Sequence, residues 1–274
     1  MKTVGPLPFL KGHGTGNDFV LIPDLGNEHD LSADQVRALC DRHFGIGGDG
    51  LIRIARDAST GFLIMDYRNA DGSLAEMCGN GARVFIRALQ HLDIWAGEEL
   101  EFETRAGRIR GIVHPDSSIS IDMGPANLVE VGSQAQVVVG ERSWPLVGVR
   151  VPNPHAVVFV DDLNHAGLLH EPPEVTAAGA FPDGVNVEFV VARGDRHVAM
   201  RVHERGVGET LSCGTGACAV VWAASRQVGG PRTHDEWQVD VPGGTVFVHE
   251  DEQGHLLLRG PAVIVAQGQV HIGV

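Results

Sequence analysis

The chain has 274 residues, 43% of them apolar and 20% charged, with a formal net charge of −14. That is enough apolar material for one large domain or two of ordinary size, and an acidic balance without a basic block excludes nucleic-acid and anionic-membrane binding. With Lys2 and Lys11 as the only lysines and four cysteines in so long a chain, a Schiff-base pyridoxal-phosphate enzyme and a disulfide framework are both disfavoured.

The N-terminal MKTVGPLPFLKG lacks the apolar run of a signal peptide, and no stretch approaches the roughly 18 apolar residues of a membrane span. A cytoplasmic protein with reduced thiols is expected. The first predicted helix starts after Leu31, where Ser32 and Gln35 form a capping box and Leu31 and Val36 a staple. Val36, Leu39, Cys40 and Phe44 give it an apolar face. Strands are predicted over 62–67, 100–104, 108–113 and 118–123, with a helix over 82–92 before the second of them. The second half reads as strands over 155–160, 186–191, 197–203, 237–241, 244–249 and 255–259. Its helix, 217–224, is apolar all round and so belongs inside. Strand-rich units around a buried helix make an α+β fold.

The two halves echo each other. MCGNGARV (77–84) and SCGTGACA (212–219) place Cys78 and Cys213 at an offset of 135. Asn17 and Asn153, Asp49-Gly50 and Asp183-Gly184, Val113-His114 and Val248-His249, and Gly124-Pro125-Ala126 and Gly260-Pro261-Ala262 recur in order at offsets of 134 to 136. Ordered matches at one offset predict a duplicated unit. Residues 1–124, joined by a returning C-terminal strand from 261–274, form the first repeat, and 125–260 the second.

Each of these cysteines begins a helix. A helix N-terminus exposes unpaired N–H groups and about half a positive charge. Thiols there ionise more readily, from about 8.5 down to between 3.5 and 7.5, and the same N–H groups bind carboxylates. Two such ends facing one tetrahedral carbon could invert it. One sulfur takes the α-proton and the other returns a proton to the opposite face, with the helix dipoles stabilising the charge that develops. No cofactor or metal is required. Cys40 and Cys218 lie on apolar helical faces and read as core.

GTGNDF, GIGGDG, YRNADGS, MCGNGAR, NPH, DGVNVEF, ERGVGETLSCGTGACA and RGPA, spread from residue 11 to about 265, resemble the diaminopimelate epimerase family of cofactor-independent racemases. The resemblance implies two pseudo-symmetric, strand-rich, barrel-like domains, each around a central helix, with the active site in the cleft between them. It implies interconversion of LL- and meso-2,6-diaminopimelate, a precursor of lysine and peptidoglycan. Cys78 and Cys213 become acid and base, and His155 and Glu204 the groups that tune the thiols. Gly79, Asn80, Gly214 and Thr215 would hold the reacting carboxylate through backbone N–H groups. Asn17, Asn69, Asn153, Asn186, Glu204 and Arg205 would bind the rest of the substrate, Arg205 as a bidentate carboxylate clamp.

Three positions depart from the family pattern. Gly50 stands where many relatives carry a substrate-contacting glutamine, and Pro152 where glycine usually precedes NPH. Ala266 stands where some relatives carry a tyrosine linked to dimer formation. Tyr67 is the only tyrosine, so a homodimer would have to form without that contact.

Other classes fit less well. Gly214-x-Gly216-x-x-Ala219 with Asp235 imitates a dinucleotide fingerprint, but no strand runs straight into the glycines and Asp235 falls in the loop 229–237. A thiol redox pair would normally be Cys-x-x-Cys, and Cys213 and Cys218 lack zinc-knuckle spacing. Within the racemases, proline, hydroxyproline and glutamate are the rival substrates. The Arg205 clamp and the asparagine set favour a longer one.

Overall fold

Apolar runs punctuated by glycine turns become strands, and the two Cys-Gly motifs become helix starts. The computed structural model describes residues 6–177, 179–230 and 235–271. The chain divides into two units, Met1–Ile121 with Gly260–Val274, and Asp122–Arg259.

The first unit contains β1 (Leu7–Gly14), β2 (Asn17–Pro23), α1 (Ala33–Cys40), β3 (Gly50–Arg56), β4 (Leu63–Asn69), α2 (Gly79–His91), β5 (Glu99–Thr104), β6 (Gly107–Val113) and the start of β7 (Ile119–Pro125). The second holds β8 (Asn127–Val129), β9 (Gln136–Val139), β10 (Arg142–Val151), β11 (Asn153–Phe159), β12 (Glu174–Thr176), β13 (Asn186–Gly194), β14 (His197–Glu204) and β15 (Gly208–Thr210). It continues with α3 (Gly214–Gln227), β16 (Trp237–Val241), β17 (Gly244–Glu250) and β18 (His255–Gly260). β19 (Val263–Val270) then returns to the first unit, antiparallel to β1.

The same order of pairings runs through both units. In the first, β1–β2 is antiparallel, β2–β3 parallel, β3–β4 antiparallel, β4–β5 parallel and β5–β6 antiparallel. In the second, β10–β11 is antiparallel, β11–β13 parallel, β13–β14 antiparallel, β14–β16 parallel and β16–β17 antiparallel. Each parallel step needs a crossover, and the second crossover of each unit carries its long helix. α2 packs against β1, β2, β3, β4, β6 and β19, and α3 against β10, β11, β13, β16 and β17. These are two pseudo-symmetric, strand-rich units around a central helix.

The capping box at Ser32 is formed, with Gln35 N–H donating to Ser32 Oγ and Ser32 N–H to Gln35 Oε1. Leu31, Val36, Leu39 and Cys40 pack with Leu7, Val20, Ile22 and Leu51. Phe44 does not join them and is 95% exposed. α1 stops at Cys40 because the Asp41 carboxylate accepts the N–H groups of His43 and Phe44 and turns the chain outward. α3 is buried from Gly216 to Ser225, and Cys218 lies within it as core. β1, β2 and β3 were not among the predicted strands, since their glycine- and asparagine-rich ends resemble turns. β10 carries Pro145 opposite Gln136. Of the loop 229–237, residues 231–234 lie outside the described residues.

Candidate active site

Cys78 is the N-cap of α2, and its sulfur accepts the Gly81 N–H at 3.4 Å. It also lies 3.6 Å from Asn17 Oδ1. Gly79 and Asn80 follow in the first turn, where helical N–H groups lack an intrahelical acceptor. The Asn80 amide donates to Asn17 Oδ1 at 3.2 Å, and Asn17 Nδ2 donates to Asp49 Oδ2 at 2.7 Å. Arg42 spans Asp49 and Asp18, at 2.7 Å from each, so the asparagine beside the thiol is braced by an ionic cluster. Beneath the helix start lies Arg83, fully buried, donating to Thr15 Oγ1, Asn80 Oδ1 and the carbonyls of Gly79 and Pro261. Its place inside MCGNGARV, one turn beyond Gly79, is the signal that sequence reading passed over.

Asn69 ends β4 in register with Gly50. Its Oδ1 accepts the Tyr67 hydroxyl at 3.1 Å and its Nδ2 donates to Ser73 Oγ at 3.0 Å. A methyl group added at Gly50 would lie 2.7 Å from both Tyr67 Cε2 and the Arg68 carbonyl oxygen. Tyr67 therefore fills the space that a longer residue 50 would use.

In the second unit Cys213 caps α3 in the same manner, accepting the Gly216 N–H at 3.4 Å. Thr215 Oγ1 lies 3.4 Å and Asn186 Nδ2 3.9 Å from its sulfur. Gly214 and Thr215 occupy the first turn. Asn186 Oδ1 accepts the Arg205 N–H at 2.9 Å, which joins the end of β14 to the start of β13. Arg205 is exposed, with Nη1 on the Asp183 carbonyl at 2.8 Å. Glu204 accepts the Thr210 hydroxyl.

His155 and Asn153 share one face of β11, with Nε2 3.1 Å from Asn153 Oδ1. His155 Nδ1 lies 2.6 Å from Glu188 Oε1, both residues being fully buried. Glu188 was missed, although a lone Glu inside the apolar run NVEFVV was the signal. Val157 pairs with Glu188 and Glu188 with Val202, so Asn153, His155, Asn186, Glu188 and Glu204 project from one side of three adjacent strands.

The expected acidification of the thiol does not hold at Cys213. Burial pushes its thiol well above the ordinary range, the charges of Glu204 and Glu188 push it further, and hydrogen bonds from Thr215 and Gly216 do not offset them. The helix end is real, but its half-charge is outweighed by desolvation and two carboxylates. Burial and the two carboxylates thus favour the thiol form of Cys213. Among the described residues no group of three or more His, Cys, Asp or Glu side chains could hold a metal ion.

Comparison with known proteins identifies the family. The family model described as diaminopimelate epimerase matches residues 9–129 and 147–269. The diaminopimelate epimerase of Streptomyces coelicolor is 52% identical over 276 residues, spanning 96% of this chain and 95% of that protein. That of Thermobifida fusca is 43% identical over 279 residues, spanning 96% and 98%. A PhzF-family phenazine biosynthesis protein from Bacillus anthracis superposes with a TM-score of 0.73 at 16% identity, covering 98% of this chain and 100% of its own. A hydroxyproline epimerase from Agrobacterium vitis superposes with a TM-score of 0.69, also at 16% identity, covering 97% and 93%. At that identity the two structures speak for the fold alone. Two helix-capping cysteines in a repeated pairing scheme, with matched sequence over nearly the whole length, place this chain in the diaminopimelate epimerase family.

Proposed function

We propose that this chain interconverts LL- and meso-2,6-diaminopimelate by two thiols, without a cofactor, in the cytoplasm. The observation that carries the reading is the matched pair Cys78 and Cys213, each the N-cap of the central helix of its unit. One sulfur removes the α-proton as a thiolate, and the other, as a thiol, protonates the opposite face. The roles exchange for the reverse reaction. First-turn N–H groups of Gly79, Asn80, Gly214 and Thr215 hold the reacting carboxylate, where fixed donors stabilise developing charge. Asn17, Asn69, Asn153, Asn186 and Glu204 bind the substrate, and Arg205 clamps its far carboxylate. His155 and Glu204 tune the protonation of the two thiols.

The domain reading goes with this. Residues 1–124 with 261–274, and residues 125–260, descend from one duplicated unit, a reading supported by the common order of strand pairings. No described helix is long and apolar enough to cross a membrane. Ala266 lies exposed on β19, so a dimer through that position would have to form without a tyrosine.

The test uses purified, reduced protein with LL-diaminopimelate and no additive. Conversion to the meso form is expected, with proline, hydroxyproline and glutamate left unchanged. In deuterated water the product epimer should carry deuterium while the starting epimer stays protonated in early turnovers. Early exchange into both epimers would refute two separate acid–base groups.

A further inference from the structure

Glu188 is fully buried, and its Oε2 is, among the described residues, the one buried side-chain polar atom without a hydrogen-bond partner. Burying a carboxylate beside an imidazole is weak evidence for stability, because desolvation offsets the attraction. The repeat within this fold tests whether the architecture needs such a pair. Position for position, β2 and β3 carry Phe19 and Ile52 where β11 and β13 carry His155 and Glu188. A methyl group added at Gly81 would meet Met65, Ile52 and Phe19, whereas one at Gly216 would meet Glu188 Oε1 at 2.8 Å. The same place in the fold is thus filled by apolar side chains in one unit and by a buried acid and imidazole in the other. Packing does not demand the polar pair.

Geometry supplies its task. An amide oxygen only accepts hydrogen bonds, so the 3.1 Å contact of His155 Nε2 with Asn153 Oδ1 is a hydrogen bond in the form of the ring that carries a proton on Nε2. In that form Glu188 Oε1, 2.6 Å from Nδ1, holds the other ring nitrogen. We propose that Glu188 is a positioning residue: by holding His155 Nδ1 it keeps the Nε2 proton on Asn153 Oδ1, and so turns the Asn153 NH2 group toward the substrate. Without the carboxylate the imidazole has one proton for two nitrogens. The form bare at Nε2 draws the Asn153 amide round and offers its oxygen to an anionic substrate. This inference rests on the epimerase reading and deepens it.

Glu188→Ile, which installs the residue of the first unit, should raise KM for LL-diaminopimelate by about tenfold or more, with kcat changing less. Glu188→Gln should recover most of the loss, because its amide can donate to Nδ1 and leave the proton on Nε2. In an Asn153→Ala background Glu188→Ile should cost less than about twofold, since its partner is gone. An unchanged KM in Glu188→Ile, or an undiminished loss in the Asn153→Ala background, overturns the proposal. Nitrogen-15 NMR of the unliganded, full-length enzyme reads His155 directly, whether or not the chain turns over diaminopimelate and whether or not the variants fold. A protonated Nε2 is expected, and a bare Nε2 overturns the assignment.

Discussion

A single methyl group at Gly216 gives a sharp measure of how tightly the second thiol is set. In Gly216→Ala the new carbon would lie 2.8 Å from Glu188 Oε1 and 3.3 Å from both Cβ and Sγ of Cys213. The oxygen cannot retreat without stretching its 2.6 Å contact to His155, and a hydrogen bond to a charged group contributes about 1.5–3 kcal/mol. Replacing a helical glycine by alanine returns at most about 0.5–1 kcal/mol. The net cost is about 1–2 kcal/mol, which for a chain of this size lowers Tm by roughly 2–8 °C. The sulfur is displaced as well, so kcat/KM should fall by about 10- to 100-fold, as ångström-scale misplacement does. Gly81→Ala is the control at the equivalent turn of α2. Its methyl would meet the ends of Met65 at 3.0 Å, Ile52 at 3.2 Å and Phe19 at 3.4 Å. Those side-chain tips can yield, so stability should stay within about 1 kcal/mol of the parent. Calorimetry and initial rates on both variants check this. A Gly216→Ala enzyme as stable and as active as Gly81→Ala would refute the reasoning.

Cys78→Ala and Cys213→Ala should each reduce epimerisation by at least about 10²–10⁴, and near-parental turnover in either rejects the assignment. Gly50→Gln should destabilise the chain, because its Cβ overlaps Tyr67 and the Arg68 carbonyl. Adding Tyr67→Ile removes the ring overlap, and Tm should recover in part; no recovery would show that Tyr67 does not fill that space. Burial pushes the Cys40 thiol up to about 12 and Cys213 well up as well. The unfolded thiols titrate near 8.5, so this stabilisation is fully present below that pH and is lost as pH rises through the folded values. Urea midpoints should therefore fall between about pH 9 and pH 11, and substituting Cys40 by alanine should flatten the decline.

The parts legible in the sequence are those fixed by local chemistry. Ser32 and Gln35 announce α1 because a capping box is a matter of four neighbouring residues. Cys78 and Cys213 announce the helix starts because glycines follow each one directly. Phe44 failed because helical spacing continues on paper past an Asp41 that ends the helix in fact. Glu188 failed because strand alternation tells which residues share a face but not what lies across from them. That the face carries His155 depends on a parallel pairing between strands 33 residues apart. Which way the Cys213 thiol shifts is not legible in the sequence for a related reason. A helix end is visible locally, whereas Glu204, Glu188 and the depth of burial come from the packed fold.

β19 has a consequence for synthesis on the ribosome. Residues 122–259 are continuous, whereas the first unit waits for Gly260–Val274 to emerge before its sheet is complete. Until then β1 lacks the partner that runs from Leu7–Val270 to His13–Val263. Arg83 and Arg87 meanwhile lack the Pro261 and Ala262 carbonyls to which they donate. The half translated later should therefore mature first, the reverse of the usual vectorial order. Hydrogen exchange on a released chain truncated after residue 260 would show it as protection in β13 and β14 but not in β1, and equal protection in both would exclude it.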